Sequence, residues 1–484
     1  MQYVLFNAFW RIVAIALAIY LGTKLPRNPL LLAALIPPLA AIPLLLFATR
    51  SILGVLVILC SLYAGTLGLL NTFPSGVPGL QVHDLATLTL TGVAAFLVVT
   101  AGRRIRGAWT RSDVPYLLFL AWAVFRAYGV PDLFDAVKDL VFFSLFLVIC
   151  MVSRLFVAEK QGRTLTVSYA LFAGAALSVA LLLVFVPMGA VAWTPTGLAS
   201  PLGKRPLALF LMVVFSASLS VWLFSATSGT RRLGAVWSVA VGGVIVLTLS
   251  RTVIATLLVV HLPAALLLRS SRRLTSVGNA VRIPFYAVLV TAIVVLSLKN
   301  YTVQERFFFQ TGGSRAEDLL YWRNLNTMGR SNVWPEIWRH AKTAPWIGHG
   351  TGSARSYSKL ICGWEHPHCD YLRVFHDQGA IGLAFFVGFW LLKVRRLWAL
   401  QRYGRTPAAR QSAFAALVAV IGVLLSFVTD NTIVYTYAMI PLAILVGAAE
   451  AEVTASTTPT GDPGEPASAA ATSQNLPAGA LPAR

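Results

Sequence analysis

Residues 206–226 read PLALFLMVVFSASLSVWLFSA, a run without a single charge. An α-helix needs about 20 such residues to cross roughly 30 Å of hydrocarbon. The run is continuously apolar and does not alternate, which points away from a barrel strand. Lipid offers no partner for a backbone amide, so the segment must satisfy its own hydrogen bonds as a helix. Working outward, similar runs recur near 3–21, 29–48, 51–71, 84–102, 115–130, 139–158, 165–190, 233–250, 252–270, 281–299, 378–394, 411–428 and 432–449. With the first they make about fourteen, in an expected range of 12–14 transmembrane helices. The 484 residues are 57% hydrophobic and 12% charged, too little polar side chain to cover a water-facing globule. The fold class is therefore all-α, a polytopic integral membrane protein. Arg11 lies inside the first run and no small-residue cleavage site follows it, so that run reads as a retained helix and not a signal peptide.

The chain carries 39 Lys+Arg against 18 Asp+Glu, a formal charge of +21. Such an excess would suit nucleic acid, but its distribution argues otherwise. The basic clusters are Arg103, Arg104, Arg106 and Arg111; Lys160 and Arg163; Arg231 and Arg232; Arg269, Arg272, Arg273 and Arg282; and Lys393, Arg395, Arg396, Arg402, Arg405 and Arg410. They fall at every second connection, the positive-inside pattern, which puts both termini in the cytoplasm and excludes nucleic acid as the expected partner.

One connection is long. Residues 300–377 fall outside the cytoplasm by the charge pattern and hold five of the seven histidines (His340, His349, His366, His368, His376) and five of the 13 tryptophans. A solvated linker has no use for that composition, whereas an ordered pad at a membrane surface has. Asn332 is expected to cap a short helix whose apolar residues Val333, Trp334, Ile337, Trp338 and Ala341 recur at helical spacing, lying flat on the bilayer. The division is thus a membrane domain over 1–449, the loop 300–377 within it, and a tail over 450–484 rich in Ala, Pro, Ser, Thr and Gly, expected to be disordered and cytoplasmic.

Polar chemistry gathers where the loop returns to the membrane, in EHPHCDYLRVFHDQGAIG at 365–382. An arginine fork binds phosphate bidentately and keeps its charge, so arginines at the outer membrane surface suit a lipid-borne phosphate. Arg330 in the loop, Arg251 between two apolar runs, Arg205 at the start of the quoted run and Arg373 qualify by position. Each has a blander reading, since arginines at helix ends snorkel to the interface. His368 and His366 are candidates for a base, with Asp370 and Glu365 near enough in sequence to orient a ring; spacing does not separate the two histidines. Cys362 and Cys369 bracket GWEHPH and are candidates for a disulfide in an oxidising compartment. The same two Cys and two His fit no standard zinc spacing, and no metal is expected there. Cys60 and Cys150 read as inert packing within spans.

Four segments, TLSRTV (248–253), MGRSNVW (328–334), APWIGHGTG (344–352) and HPHCDYLRVFHDQGAIGL (366–383), resemble the O-antigen ligase and O-antigen polymerase superfamily of bacterial membrane glycosyltransferases. The resemblance covers roughly 195–450. His368, Tyr371, Leu372, Asp377, Gly379, Ile381 and Gly382 fill the places of a His-Asn-x-Tyr-Leu motif, its following acidic residue and a Gly-x-Ile-Gly helix start, with Cys369 standing where asparagine is usual.

The resemblance implies a multi-pass protein of the bacterial inner membrane with its site on the extracytoplasmic face. It implies transfer of a polyprenyl-diphosphate-linked glycan to a glycan or glycolipid acceptor with inversion, without metal or other cofactor. Membrane lipids surround the reaction, and chain-length or export proteins are further possible partners. By the same resemblance His368 is the base, Arg330, Arg251 and Arg205 hold the diphosphate, and Tyr371, Asp370, His366 and Asp377 support them. A surface-polysaccharide polymerase is the first expectation, a ligase joining the glycan to lipid A core the second. A lipid-linked sugar transporter or flippase is the competitor from another class; it would show repeat symmetry and polar residues near mid-membrane.

Overall fold

The computed structural model describes residues 51–70, 81–102, 104–160, 163–194, 197–261 and 329–457, with isolated positions between 263 and 292. The expected spans at 3–21, 29–48 and 281–299, the loop from 300 to 328 and the tail from 458 onward lie outside the described residues.

Almost everything described is helix. In chain order the helices are α1 (Ile52–Leu70), α2 (Val82–Thr100), α3 (Val114–Ala127), α4 (Leu133–Ala158), α5 (Arg163–Phe185), α6 (Lys204–Phe224) and α7 (Ser228–Thr248). Then follow α8 (Arg251–Thr256), α9 (Arg330–Ala341), α10 (Ser353–Cys362), α11 (Asp370–Tyr403), α12 (Pro407–Thr429) and α13 (Thr436–Thr457). A small antiparallel hairpin, β1 (Ala192–Thr194) and β2 (Gly197–Ala199), pairs Trp193 with Leu198 just ahead of α6.

Among the described residues seven helices, α1, α2, α4, α5, α6, α7 and α12, are long and apolar enough to cross a membrane. They match seven of the expected runs, and the chain is a polytopic all-α membrane protein with further helices outside the spans. Four further expected runs, lying wholly or partly within the described residues, are met differently. The run at 115–130 becomes the 14-residue α3, the run at 432–449 starts at Thr436 as a shorter apolar helix, and 378–394 is the middle of the 34-residue α11. The run at 252–270 is α8 continued by a π turn over Leu257–His261.

The quoted apolar run is α6, and it forms the centre. Every residue from Leu207 to Leu223 is buried, as expected of a helix with no polar face. Around it α7, α12 and α13 pack directly, while α13 also lies along α4, α1 along α5 and α11 along α12. Small residues permit the closest approaches: a Cβ at Gly65 of α1 would sit 2.5 Å from the Gly174 carbonyl oxygen of α5.

Two charged clusters mark opposite ends of α11. At one end lies the chain around His368, just before the helix. At the other, Lys393 and Arg154 are buried with Asp113 and Glu450: Lys393 Nζ is 2.6 Å from Asp113 and 2.9 Å from Glu450, and Arg154 pairs with both carboxylates. From Asp370 to Lys393, across a break at Gly379, the helical rise amounts to at most roughly 35 Å, about one membrane thickness. Glu450 is thus not the beginning of a tail, because α13 runs on to Thr457 and the buried cations hold its carboxylate inside.

Candidate functional site

The site grows from three chain segments meeting beside His368. His368 adopts φ 56°, a left-handed conformation uncommon outside glycine. Asn431, in the connection between α12 and α13, holds it there: its Oδ1 accepts the His368 backbone N–H at 2.9 Å, and its Nδ2 lies 2.9 Å from His368 Nδ1. Asp430 Oδ1 stands 3.4 Å from the same nitrogen, and the Trp364 ring meets the imidazole edge-on with centroids 5.6 Å apart. Because the backbone N–H fixes the amide's orientation, Asn431 donates to Nδ1 and the proton of the neutral ring sits on Nε2. If Nδ1–H instead turned to Asp430, Nε2 would be free to act as a base.

Asp430 is buried and joins several groups. Its Oδ1 accepts from the Tyr435 hydroxyl at 3.0 Å, and its Oδ2 lies 3.4 Å from Arg205 Nε. Arg205 follows Gly203 at the start of α6 and keeps 41% of its side chain exposed. Arg330 opens α9 after Gly329 in the left-handed region. Desolvation pulls its guanidinium below the ordinary pKa, as does the Arg205 charge, while Asp430 and Tyr435 oppose them, so all four groups share one field. Arg251 opens α8 after Leu249 in the left-handed region, and the neighbouring Thr252 hydroxyl is 2.9 Å from that of Thr429, the residue before Asp430. Arg205 and Arg330 therefore share one carboxylate with His368, and the start of α8, which carries Arg251, meets the residue just before that carboxylate.

The other expected site residues have different neighbours. His366 lies in a different field: desolvation together with the Arg373 and Arg355 charges holds it well below the usual histidine range. Asp370, expected to orient a ring, instead accepts the Ile433 N–H at 2.9 Å and fastens the start of α11 to the α12–α13 connection. Glu365, the other expected orienter, lies 3.9 Å from Lys359. The Tyr371 hydroxyl donates to the Leu424 carbonyl at 3.1 Å. Asp377 caps α10, accepting from Gly352 N, Ser353 Oγ and Ala354 N at 3.1, 2.9 and 2.6 Å. Arg373 is fully buried against Asp139 of α4, where Arg355 also binds, so it ties helices together. Cys362 and Cys369 are free thiols: Cys362 turns back onto the Ser358 carbonyl of its own helix at 3.1 Å, and Cys369 precedes α11. The expected disulfide is not formed.

Asp430, Asn431 and Tyr435 escaped the sequence reading. The available signal was Asp-Asn placed between two apolar runs at the same membrane end as the loop. A second polar cluster sits farther along the same elements, where ring nitrogens of His340, His349 and His376 all lie within 4.8 Å of one another. A cavity of about 420 Å³ lined by Thr164, Phe224, Thr227, Thr406 and Gln411 opens near the start of α12, the opposite end from Asp430, and takes no part in this site.

The family model described as O-antigen ligase matches residues 233–387. The match supports assigning the chain to the O-antigen ligase and polymerase superfamily. The O-antigen ligase segment runs from α7 into α11, so it contains Arg251, Arg330 and His368, while Arg205, Asp430 and Asn431 come from outside it. No curated protein matches the chain.

Proposed function

We propose that this protein is a glycosyltransferase of the bacterial inner membrane, acting at the extracytoplasmic face on a glycan carried by a polyprenyl diphosphate. The observation that carries the reading is the shared carboxylate. Asp430 touches both His368 and Arg205 and lies in the field of Arg330, so the imidazole and the cations address one small volume. Arg205 and Arg330 against one aspartate leave an excess of positive charge suited to a diphosphate, to which Arg251 at the neighbouring helix start would add, and planar guanidinium forks bind phosphate bidentately. Neutralised in this way, the lipid diphosphate leaves the anomeric carbon without needing a metal. An acceptor sugar hydroxyl attacks from the opposite face, with inversion. His368 either orients that hydroxyl through Nε2–H or, with Nδ1–H directed to Asp430, removes its proton; a positioned base contributes about 10²- to 10⁴-fold.

The printed description of the matching family favours a ligase, joining the glycan to lipid A core, over the polymerase first expected from the sequence. The test is full-length protein in liposomes with its lipid-linked glycan. Product only when lipid A core is added supports ligation, and a ladder without it supports polymerisation. Glycan translocation without transfer would mean a transporter. In the same assay His368→Ala is expected to lower transfer by about 10²-fold or more with expression unchanged. Arg330→Lys should lose most activity, because an ammonium does not reproduce a bidentate fork. Normal transfer by the His368 variant removes that residue from the chemistry.

A further inference from the structure

His340 lies at the end of α9, His349 in the loop leading to α10 and His376 within the first turns of α11. His340 follows Arg330 by ten residues, which puts it roughly 15 Å farther along the helix axis and away from the transfer site. Nothing in the transfer chemistry uses this cluster.

The hydrogen bonds around each ring fix which nitrogen is free. His376 is fully buried, and its Nδ1 faces Asp377 Oδ1 at 3.1 Å and Ser353 Oγ at 3.3 Å, so the ring's proton sits on Nδ1 and Nε2 presents a lone pair. His349 Nε2 is 2.9 Å from the His340 carbonyl oxygen, which only accepts, so its proton is there and Nδ1 is free. His340 Nδ1 stands 2.9 Å from His376 Nε2. Two of the three rings thus have their second nitrogen held by a carboxylate or a backbone carbonyl, the outer contacts that orient histidines toward a metal.

We infer that His340, His349 and His376 form a binding site for a borderline divalent cation such as Zn²⁺, clasping α9 and the 344–352 loop to α11. Three neutral imidazoles suit zinc and leave a fourth position to water. Binding moves the single proton between His340 and His376 to His340 Nε2, so that the ring stays neutral. The His340 and His349 rings stack with centroids 4.1 Å apart, so one of them must turn about its Cβ–Cγ bond to aim its nitrogen inward. The clasp would set the position of α9, and with it Arg330, relative to His368.

The test uses full-length protein purified in detergent through a tag free of histidine, stripped with chelator and titrated with Co²⁺ under visible absorption, then with competing Zn²⁺. The expected result is one equivalent per chain with a tetrahedral d–d band, a melting temperature raised by Zn²⁺, and at least tenfold weaker binding in His349→Ala and in His340→Ala. The half-buried His349 keeps the test independent of fold, since removing its ring leaves the buried His376 in place. No saturable uptake, or equal uptake by wild type and both variants, overturns the inference and leaves only a histidine–histidine hydrogen bond. Because the readout needs no glycan, its failure is distinguishable from failure of the transfer reading.

Discussion

His366 and His368 are two residues apart yet belong to different environments, because the left-handed turn at His368 brings its ring to Asp430 and Asn431 while His366 is desolvated in the field of the Arg373 and Arg355 charges. The folded protein therefore resists protonating His366, whereas the unfolded chain does so near an ordinary pKa of about 6.5. As pH falls below that value the unfolded state binds the extra proton, and stability drops by up to about 1.4 kcal/mol per pH unit from this group. The melting temperature in detergent should fall between pH 7.5 and 5.5, and His366→Asn should flatten that slope; an equal slope in both proteins would show that other groups govern it. Sequence could not make this distinction, nor find the partner of His368. It pointed to Asp370 and Glu365 by proximity, but Asp370 is used on a backbone amide, and the groups that hold the ring come from 63 residues downstream. Arg251, Arg330 and His368 stand out in the sequence because each sits inside a short recognisable segment. The carboxamide that meets His368 comes from Asn431, which no pattern local to the histidine reveals.

At the scale of elements, α11 is broken at Gly379, where φ 66° and ψ −170° interrupt the helix. The 344–352 loop docks into the break: Ala380 N–H donates to the Pro345 carbonyl at 2.8 Å, His349 N–H to that of His376 and Gly350 N–H to that of Asp377, both at 2.9 Å. A Cβ at Gly379 would lie 2.3 Å from the Trp346 carbonyl. Gly379→Ala combines that overlap with a strained φ and should destabilise by about 2–4 kcal/mol, read as a lower melting temperature. A wild-type value would mean that the loop yields freely. The helical spacing of five apolar residues foretold α9, of which Val333, Ile337 and Ala341 are buried while Trp338 is exposed, but the helix begins at Arg330 behind Gly329, two residues ahead of the cap assigned to Asn332. Side-chain preference suggested asparagine, whereas a positive-φ glycine makes the turn.

At the scale of the molecule, apolar run length foretold seven spans among the described residues because lipid leaves the backbone no alternative to helix. It did not reveal the buried charges. Lys393 reads as one of several interfacial cations, yet it is fully buried between Asp113 and Glu450. Removing one partner from such a cluster strands the others, so Lys393→Met should cost about 3–5 kcal/mol, measurable by thermal unfolding in detergent. A loss below 1 kcal/mol would mean that water reaches the cluster. The position of Glu450 also sets the useful limits for anyone shortening this chain. A cut after Thr457 keeps the counter-charge for Arg154, Lys393 and Arg396, whereas a cut after Ala449 deletes it and leaves Asp113 as the one carboxylate beside three cations, making the nominal membrane-domain boundary the wrong place to trim.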